Sequence, residues 1–255
     1  MVVTFFGSCS REYLDRSPVS FLVEDGEDNI LIDCGSGIIS GMKKANKCAG
    51  DINNVLLTHV HGDHISSIAY FTGFYRKWDK TCADSPKPLN IYGQKDTLEI
   101  AKFNISHMYP KAMDNVNFIE VSPSSNFKCG NLDITVFNAI HSVPCIGCAI
   151  ESNGKQLVYS SDSLPCDDLL KYSKNPDLLI HEGMLTNEDD EFAQKIKHST
   201  AKYAGEIATK VNAKALALVH INLSVFGKET ILIEEARKEY SGLITIPTEG
   251  TVFNI

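Results

Sequence analysis

The sequence predicts an α/β protein in which two β-sheets pack together with helices on the outside. Three observations lead there. Short apolar runs bounded by Gly, Pro or Asp recur along the chain, as strands do. Segments of helical spacing follow the strands in both halves. Two strands also close alike, Val55-Leu56-Leu57-Thr58-His59 and Leu216-Ala217-Leu218-Val219-His220, a weak internal echo in which each delivers a histidine to one rim. Strands followed by helices, repeated in two halves, bury their apolar faces as stacked layers.

In the first half, strands are expected over residues 2–6, 21–24 and 29–33, with a helix over 36–47. A compact apolar strand at 55–58 runs straight into a histidine cluster, and another at 89–92 precedes helical spacing from 97 to 108. Strands at 117–121, 132–138, 148–151 and 156–160 follow, the last two joined by Asn153-Gly154, a strong hairpin signal. After a strand at 177–180 comes the clearest helix, 200–211, then a strand at 216–219 and a helix at 229–240. Stretches 243–246 and 251–254 close the chain. No Pro/Ser-rich linker, charge block or low-complexity run marks a domain boundary.

Composition narrows the partners. The 255 residues carry a net charge of −8, which disfavours a broad electrostatic footprint for nucleic acid. Eight cysteines are scattered rather than arranged as a disulfide scaffold, and free thiols in apolar strand-like stretches pack as small hydrophobes. The first residues lack the basic and apolar regions of a signal peptide, and no apolar run approaches a membrane span. The expectation is a reducing, cytoplasmic setting with no membrane partner.

The decisive segment is Thr58-His59-Val60-His61-Gly62-Asp63-His64. Three histidines and an aspartate within six residues, just after a strand, exceed what a core or a surface turn needs. His59 and His61 flank Val60, so an extended loop points both to one side. Asp63 and His64 reach a neighbouring ion, and Gly62 permits the tight backbone that brings both pairs inward. Imidazole with carboxylate suits Zn²⁺, Mn²⁺ or Fe²⁺ better than Ca²⁺ or Mg²⁺.

The His-x-His-x-Asp-His run resembles the signature of the metallo-β-lactamase superfamily. His141, after the strand ending near Asn138, resembles that family's third histidine. Asp162, in Ser160-Ser161-Asp162-Ser163, resembles its bridging aspartate, with Ser161 in place of the usual glycine, and His220 resembles its last histidine. The resemblance implies one ion on His59, His61 and His141, another on Asp63, His64 and His220, and Asp162 between them. It also implies a four-layer αββα sandwich and, because it covers essentially the whole chain, one domain over 1–255. Asp33, in Ile32-Asp33-Cys34-Gly35, matches a position that normally supports the metal loop.

Two further segments, Leu179-Ile180-His181-Glu182-Gly183 and Lys197-His198-Ser199-Thr200, resemble the His-Glu and His-Ser-Thr motifs of the ribonuclease Z branch. Two metals about 3.5–4 Å apart hold a hydroxide and neutralise a phosphoryl oxygen. The leaving oxygen still needs a proton, which a histidine poised by a carboxylate supplies. Asp63, His198 and Glu182 are therefore the candidate catalytic residues, His198 as acid or transition-state donor and Glu182 as its orienting partner. His198 also precedes a helix whose first N–H groups would favour phosphate; the plainer alternative is that His198 and Ser199 only cap that helix. A structural role is favoured for His181.

Transfer-RNA-processing members of the branch carry a long basic arm, which in the bacterial form lies between the third histidine and the bridging aspartate. Here His141 and Asp162 are only 21 residues apart, filled by the Asn153-Gly154 hairpin, and the early Pro-Lys-x-Arg-Asn-like loop reads Arg16-Ser17-Pro18-Val19. Small cyclic or nucleotide phosphodiesters are thus the first choice of substrate and tRNA 3′ processing the second. A thioesterase- or lactamase-like acyl hydrolase would not need the Glu182–His198 pair, and a metal-binding sensor or scaffold would be expected to lose ligands. Relatives of this type often pair so that one subunit shapes the other's entrance, which makes a homodimer the expectation. Cys145-x-x-Cys148 with Cys9 could form a structural zinc site, though packing thiols are favoured. Segment 71–84 reads either as a substrate-facing flap or dimer contact, or as a surface loop with apolar anchors.

Overall fold

A computed structural model describes residues 1–75 and 88–255. Among the described residues, fourteen strands form two sheets of seven. The first is ordered β14-β1-β2-β3-β4-β5-β6: β14 Val252–Asn254, β1 Val2–Gly7, β2 Ser20–Asp25, β3 Asp28–Ile32, β4 Asn54–Leu57, β5 Leu89–Gly93 and β6 Val116–Glu120. The second runs β13-β12-β11-β10-β9-β8-β7: β13 Leu243–Thr245, β12 Ala215–Val219, β11 Leu178–Glu182, β10 Lys155–Tyr159, β9 Cys145–Ser152, β8 Leu132–Ala139 and β7 Asn126–Cys129. Each sheet has three antiparallel pairings followed by three parallel ones.

Alternation along the strands sorts the apolar side chains into three layers of core. Phe5, Val23, Ile30 and Ile32 from one sheet meet Ile134, Ile150, Leu157 and Ile180 from the other. Their neighbours face outward. Leu22, Leu31 and Leu57 pack under α1 (Ile38–Lys44) and α4 (Lys95–Met108), through Ile38, Met42, Ala101 and Ile105. Leu179, Leu216 and Leu218 pack under α7 (Ala201–Lys210) and α8 (Thr230–Glu239), through Ala204, Ile207 and Leu232. The order helix, sheet, sheet, helix is the expected αββα sandwich.

Each strand read from the sequence forms, displaced by a few residues at its ends. The shorter helices were not anticipated: α2 (Gly62–Ile65), α3 (Ile68–Tyr70), α5 (Asp167–Tyr172) and α6 (Asp190–Ile196) are too brief for a periodic stripe. Residues 126–129 also pair as an edge strand. The histidine echo holds, β4 and β12 both bringing a histidine to one rim, but the two strands are not equivalent in their sheets. Counted from the antiparallel edges, β4 corresponds to β11 rather than to β12. The equivalent strand ends therefore deliver His59 and Glu182, while β3 and β10 deliver Asp33 and Asp162. Segment 71–84 opens on buried Phe71, and its residues from 76 onward lie outside those described.

The cysteines of the suggested zinc site part company. Cys148 lies between the sheets, Cys9 lies under the helices of the second sheet, and the Cys145 thiol meets the Ser161 hydroxyl at 3.2 Å. Cys9, Cys34, Cys129, Cys145, Cys148 and Cys166 are free and buried, and burial pushes every one of these thiols up.

Candidate metal centre

All seven predicted ligands converge where the C-terminal ends of β4, β8, β10 and β12 meet. Thr58 and His59 continue β4, His61 precedes α2, and Asp63 and His64 lie within it. His59 Nε2 approaches His61 Nδ1 at 3.2 Å, and His141 Nε2 approaches the same nitrogen at 3.1 Å. His220 Nε2 stands 3.2 Å from Asp63 Oδ2. Asp162 Oδ2 lies between the two sets, 3.1 Å from His220, 3.4 Å from His64, 3.6 Å from His59 and 4.0 Å from His141. Two donor groups result, His59–His61–His141–Asp162 and Asp63–His64–Asp162–His220, each with its ligand atoms within 4.8 Å of one another.

These groups fit divalent ions. His64 Nε2, which faces Asp63 and Asp162, and the second Asp162 oxygen, Oδ1, are buried and have no hydrogen-bond partner, an arrangement that costs about 1–3 kcal/mol per neutral group unless something else satisfies it. Burial, helped by the neighbouring imidazoles, lowers the His59 and His61 pKa values and brings His141 to about 4. Neutral imidazoles with lone pairs turned toward one another are what metal binding requires.

Asp33 organises the first half from behind. Its fully buried carboxylate accepts from Thr58 N–H at 2.9 Å and from the Thr58 hydroxyl at 3.0 Å, and meets His64 Nδ1 at 2.8 Å. That fixes the His64 ring with Nε2 toward Asp162. The required glycine is Gly35 rather than Gly62. A Cβ on Gly35 would stand 1.7 Å from the Asp63 carbonyl oxygen, whereas Gly62 has open space around it and no positive φ.

In the second half, β8 leads to His141, whose Nδ1 meets the Lys197 carbonyl at 3.1 Å, again turning Nε2 inward. Asp162 follows Ser161, which takes φ 54° without being glycine. The loops are cross-linked, Ile140 N–H donating to Ser163 Oγ at 2.9 Å and Leu164 N–H to the Ile140 carbonyl at 3.0 Å.

Glu182 leaves β11 toward the same rim and is fully buried. Its carboxylate accepts from the N–H groups of Ser163 and Ser199, the latter at 3.0 Å, and lies 3.0 Å from His198 Nδ1. Burial opposes charge on His198, but the Glu182 carboxylate more than offsets it and carries the imidazolium pKa up to about 9. The His198 ring stacks on His220 with centroids 5.0 Å apart at 10°, beside the second donor group.

At the helix start, Ser199 N–H is taken by Glu182 and Ala201 N–H by the Leu185 carbonyl at 3.1 Å, so a phosphate seat there would draw on neither. Nor do His198 and Ser199 cap the helix: its first flanking residue is Thr200, and the Ser199 hydroxyl donates to the Ser163 carbonyl at 2.6 Å. His181 lies on the opposite face of β11 from Glu182, fully buried, with Nδ1 2.6 Å from the Glu182 carbonyl. Sequence reasoning missed Thr58 and Lys197 as supports, since a backbone carbonyl or a threonine in a strand carries no pattern of its own.

The chain belongs to the β-lactamase superfamily domain family, which matches residues 28–221. It is a metallo-β-lactamase-fold hydrolase by that membership and by its curated relatives. Ribonuclease Z of Archaeoglobus fulgidus is 24% identical across 95% of this chain and 94% of its own. The probable metallo-hydrolase YhfI of Bacillus subtilis is 29% identical across 91% of each. The crystal structure of YhfI superposes with a TM-score of 0.85 over 99% of both chains, at 27% identity. Human tRNase Z, short form, shares the fold at a TM-score of 0.78 and 21% identity, over 100% of this chain and 99% of its own. Among the described residues no helix is long and apolar enough to cross a membrane.

Proposed function

We propose that the protein is a dinuclear-metal phosphodiesterase acting on small cyclic or nucleotide phosphodiesters in the cytoplasm, with 1–255 as one catalytic domain and a homodimer as its assembly. The observation that carries this reading is the buried Glu182–His198 pair beside Asp162 and His220, a proton donor suited to a departing alkoxide, which a thiolate leaving group would not need. Two divalent transition-metal ions, zinc first with manganese or iron as alternatives, would be held by His59, His61, His141 and by Asp63, His64, His220 with Asp162 shared. When bound they supply an activated water and neutralise charge on a phosphoryl oxygen.

The remaining steps belong to side chains. Asp63 has a partly exposed side chain and would orient the attacking water. His198, charged through Glu182, donates its Nε2 proton to the departing oxygen on the far side. Glu182, held by the Ser163 and Ser199 N–H groups, orients His198 and never touches the substrate.

The short chain between His141 and Asp162 limits the size of the substrate. Strands β9 and β10 turn directly through Asn153 and Gly154, leaving no length for a tRNA-gripping arm. The relatives named ribonuclease Z favour a second reading, tRNA 3′ processing without that arm. The deciding experiment pairs elemental analysis with turnover of bis-p-nitrophenyl phosphate before and after chelation. Near two metals per chain and a chelator-sensitive rate are expected, followed by faster cleavage of cyclic nucleotides than of tRNA precursors. Two metals with thioester or lactam cleavage instead would overturn the phosphodiester reading.

A further inference from the structure

We propose that Arg16 and Glu249 form a positioning pair for His220, setting how tightly the Asp63–His64–His220 group holds its ion without contributing a ligand. The proposal rests on the two-ion reading above. His220 leaves β12 at φ 60°, a backbone state that residues with a Cβ resist, so something must hold it there. The residue after it is clamped on both sides. Ile221 N–H donates to the Ser8 carbonyl at 3.1 Å, and its carbonyl accepts from Ser10 N–H at 3.0 Å.

The clamp is itself anchored. Ser8 and Cys9 N–H groups both reach the Ser17 carbonyl, at 3.0 and 2.9 Å. Arg16 Nη2 donates to Ser8 Oγ at 2.9 Å and to the Pro247 carbonyl at 3.3 Å, while the Ser8 hydroxyl donates to that same carbonyl at 2.5 Å. Glu249 Oε1 accepts from Ser17 N–H at 2.6 Å, and its Oε2 lies 3.6 Å from Arg16 Nε. The guanidinium also covers the Phe226 ring at 5.6 Å and stands 3.9 Å from Glu229. One cation thus joins three distant stretches, 8–17, 226–229 and 247–249, and the first of them holds Ile221 next to His220.

The pair is buried, Arg16 at 12% and Glu249 at 4% side-chain exposure, so removing one charge strands the other. A guanidinium fork serves several acceptors at once, which a lysine ammonium on a flexible stem does not reproduce. His59 and His141 are held by Thr58 and Lys197, outside this network. The effect should therefore fall on one ion of two.

The test uses the full chain with Arg16→Met, Arg16→Lys and Glu249→Gln, following zinc affinity by competition with a chromophoric chelator, cobalt absorption and melting temperature. Wild type is expected to bind two ions. Arg16→Met and Glu249→Gln should keep one at wild-type affinity and bind the other about tenfold or more weakly, with Arg16→Lys intermediate. Should Arg16→Met fail to fold, Glu249→Gln, which retains the acceptor for Ser17, carries the test alone. Two ions held as in wild type, or both loosened equally, would overturn the proposal. A wild-type protein holding fewer than two ions would bring down the dinuclear reading and this proposal with it.

Discussion

Strands β3 and β10 occupy equivalent places in their two sheets, and each leads to an aspartate at or just after a left-handed residue, Asp33 itself and Ser161 before Asp162, yet the two carboxylates serve differently. Asp33 sits behind His64 and supports a loop that carries four of the seven candidate ligands within six residues. Asp162 stands among the candidate ligands itself, and its half of the rim gathers His141, Asp162 and His220 from three separate strand ends. One half concentrates its chemistry in a segment and needs a single buried support. The other disperses it, with backbone bends at Ser161 and His220, φ of 54° and 60°, beside or at its ligands, and the Lys197 carbonyl behind His141. Such bends cluster where geometry is imposed by the surroundings rather than chosen locally.

The largest test of that contrast is Asp162→Ala, which touches both donor groups. Both ions should be lost and phosphodiester turnover should fall about 10³-fold or more, read by elemental analysis and rate. Retention of one tightly bound ion would show the two halves to be independent. Next is His198→Ala, expected to lower turnover by roughly 10²–10⁴-fold with metal content unchanged. An unchanged rate would remove His198 from the chemistry.

Asp33→Asn should weaken the ion beside His64 by about 10–100-fold, measured by zinc titration, because the amide cannot hold the imidazole as a carboxylate does. No change would mean that the concentrated loop holds itself.

A smaller effect belongs to Asp177, which ties the start of β11 to those of β10 and β12 through Lys155, Gln156 N–H and Lys214. Burial raises its pKa, but these partners outweigh it and bring the group from 3.8 to about 2. A pKa lowered by folding contributes stability that is complete above the ordinary carboxylate range and is lost as pH falls toward 2. Asp177→Asn should melt at a lower temperature near neutrality and show a flatter acid limb; parallel acid limbs would contradict the assignment. Smallest is Ser161→Gly, expected to gain up to about 1 kcal/mol by relieving a left-handed residue, visible in chemical denaturation.

The same contrast explains what could be read in advance. The concentrated loop announces itself because its residue types lie side by side, and the strands announce themselves through apolar runs between turn signals. His141, Asp162 and His220 gain meaning only from family order, since each alone is an ordinary polar residue after a strand. Glu182 and His198, 16 residues apart, meet only through the fold. Arg16 was legible as part of an altered loop, but not as the partner of Glu249, because a contact spanning most of the chain leaves no periodic trace. The expected phosphate seat at the start of α7 loses two of its N–H groups for a similar reason. Which N–H groups a helix start leaves free depends on neighbours such as Glu182 and Leu185 that arrive from other strands.

The six free cysteines described above lie in different layers, with Cys34 outside the first sheet, Cys148 between the sheets, and Cys9 and Cys166 outside the second. A thiol kept protonated and out of water reacts with an alkylating reagent only after the segment around it opens. The native protein therefore carries built-in clocks for local opening in each layer. Timed labelling followed by peptide mass analysis would rank the layers by how often each one breathes, with no added probe and no change of sequence.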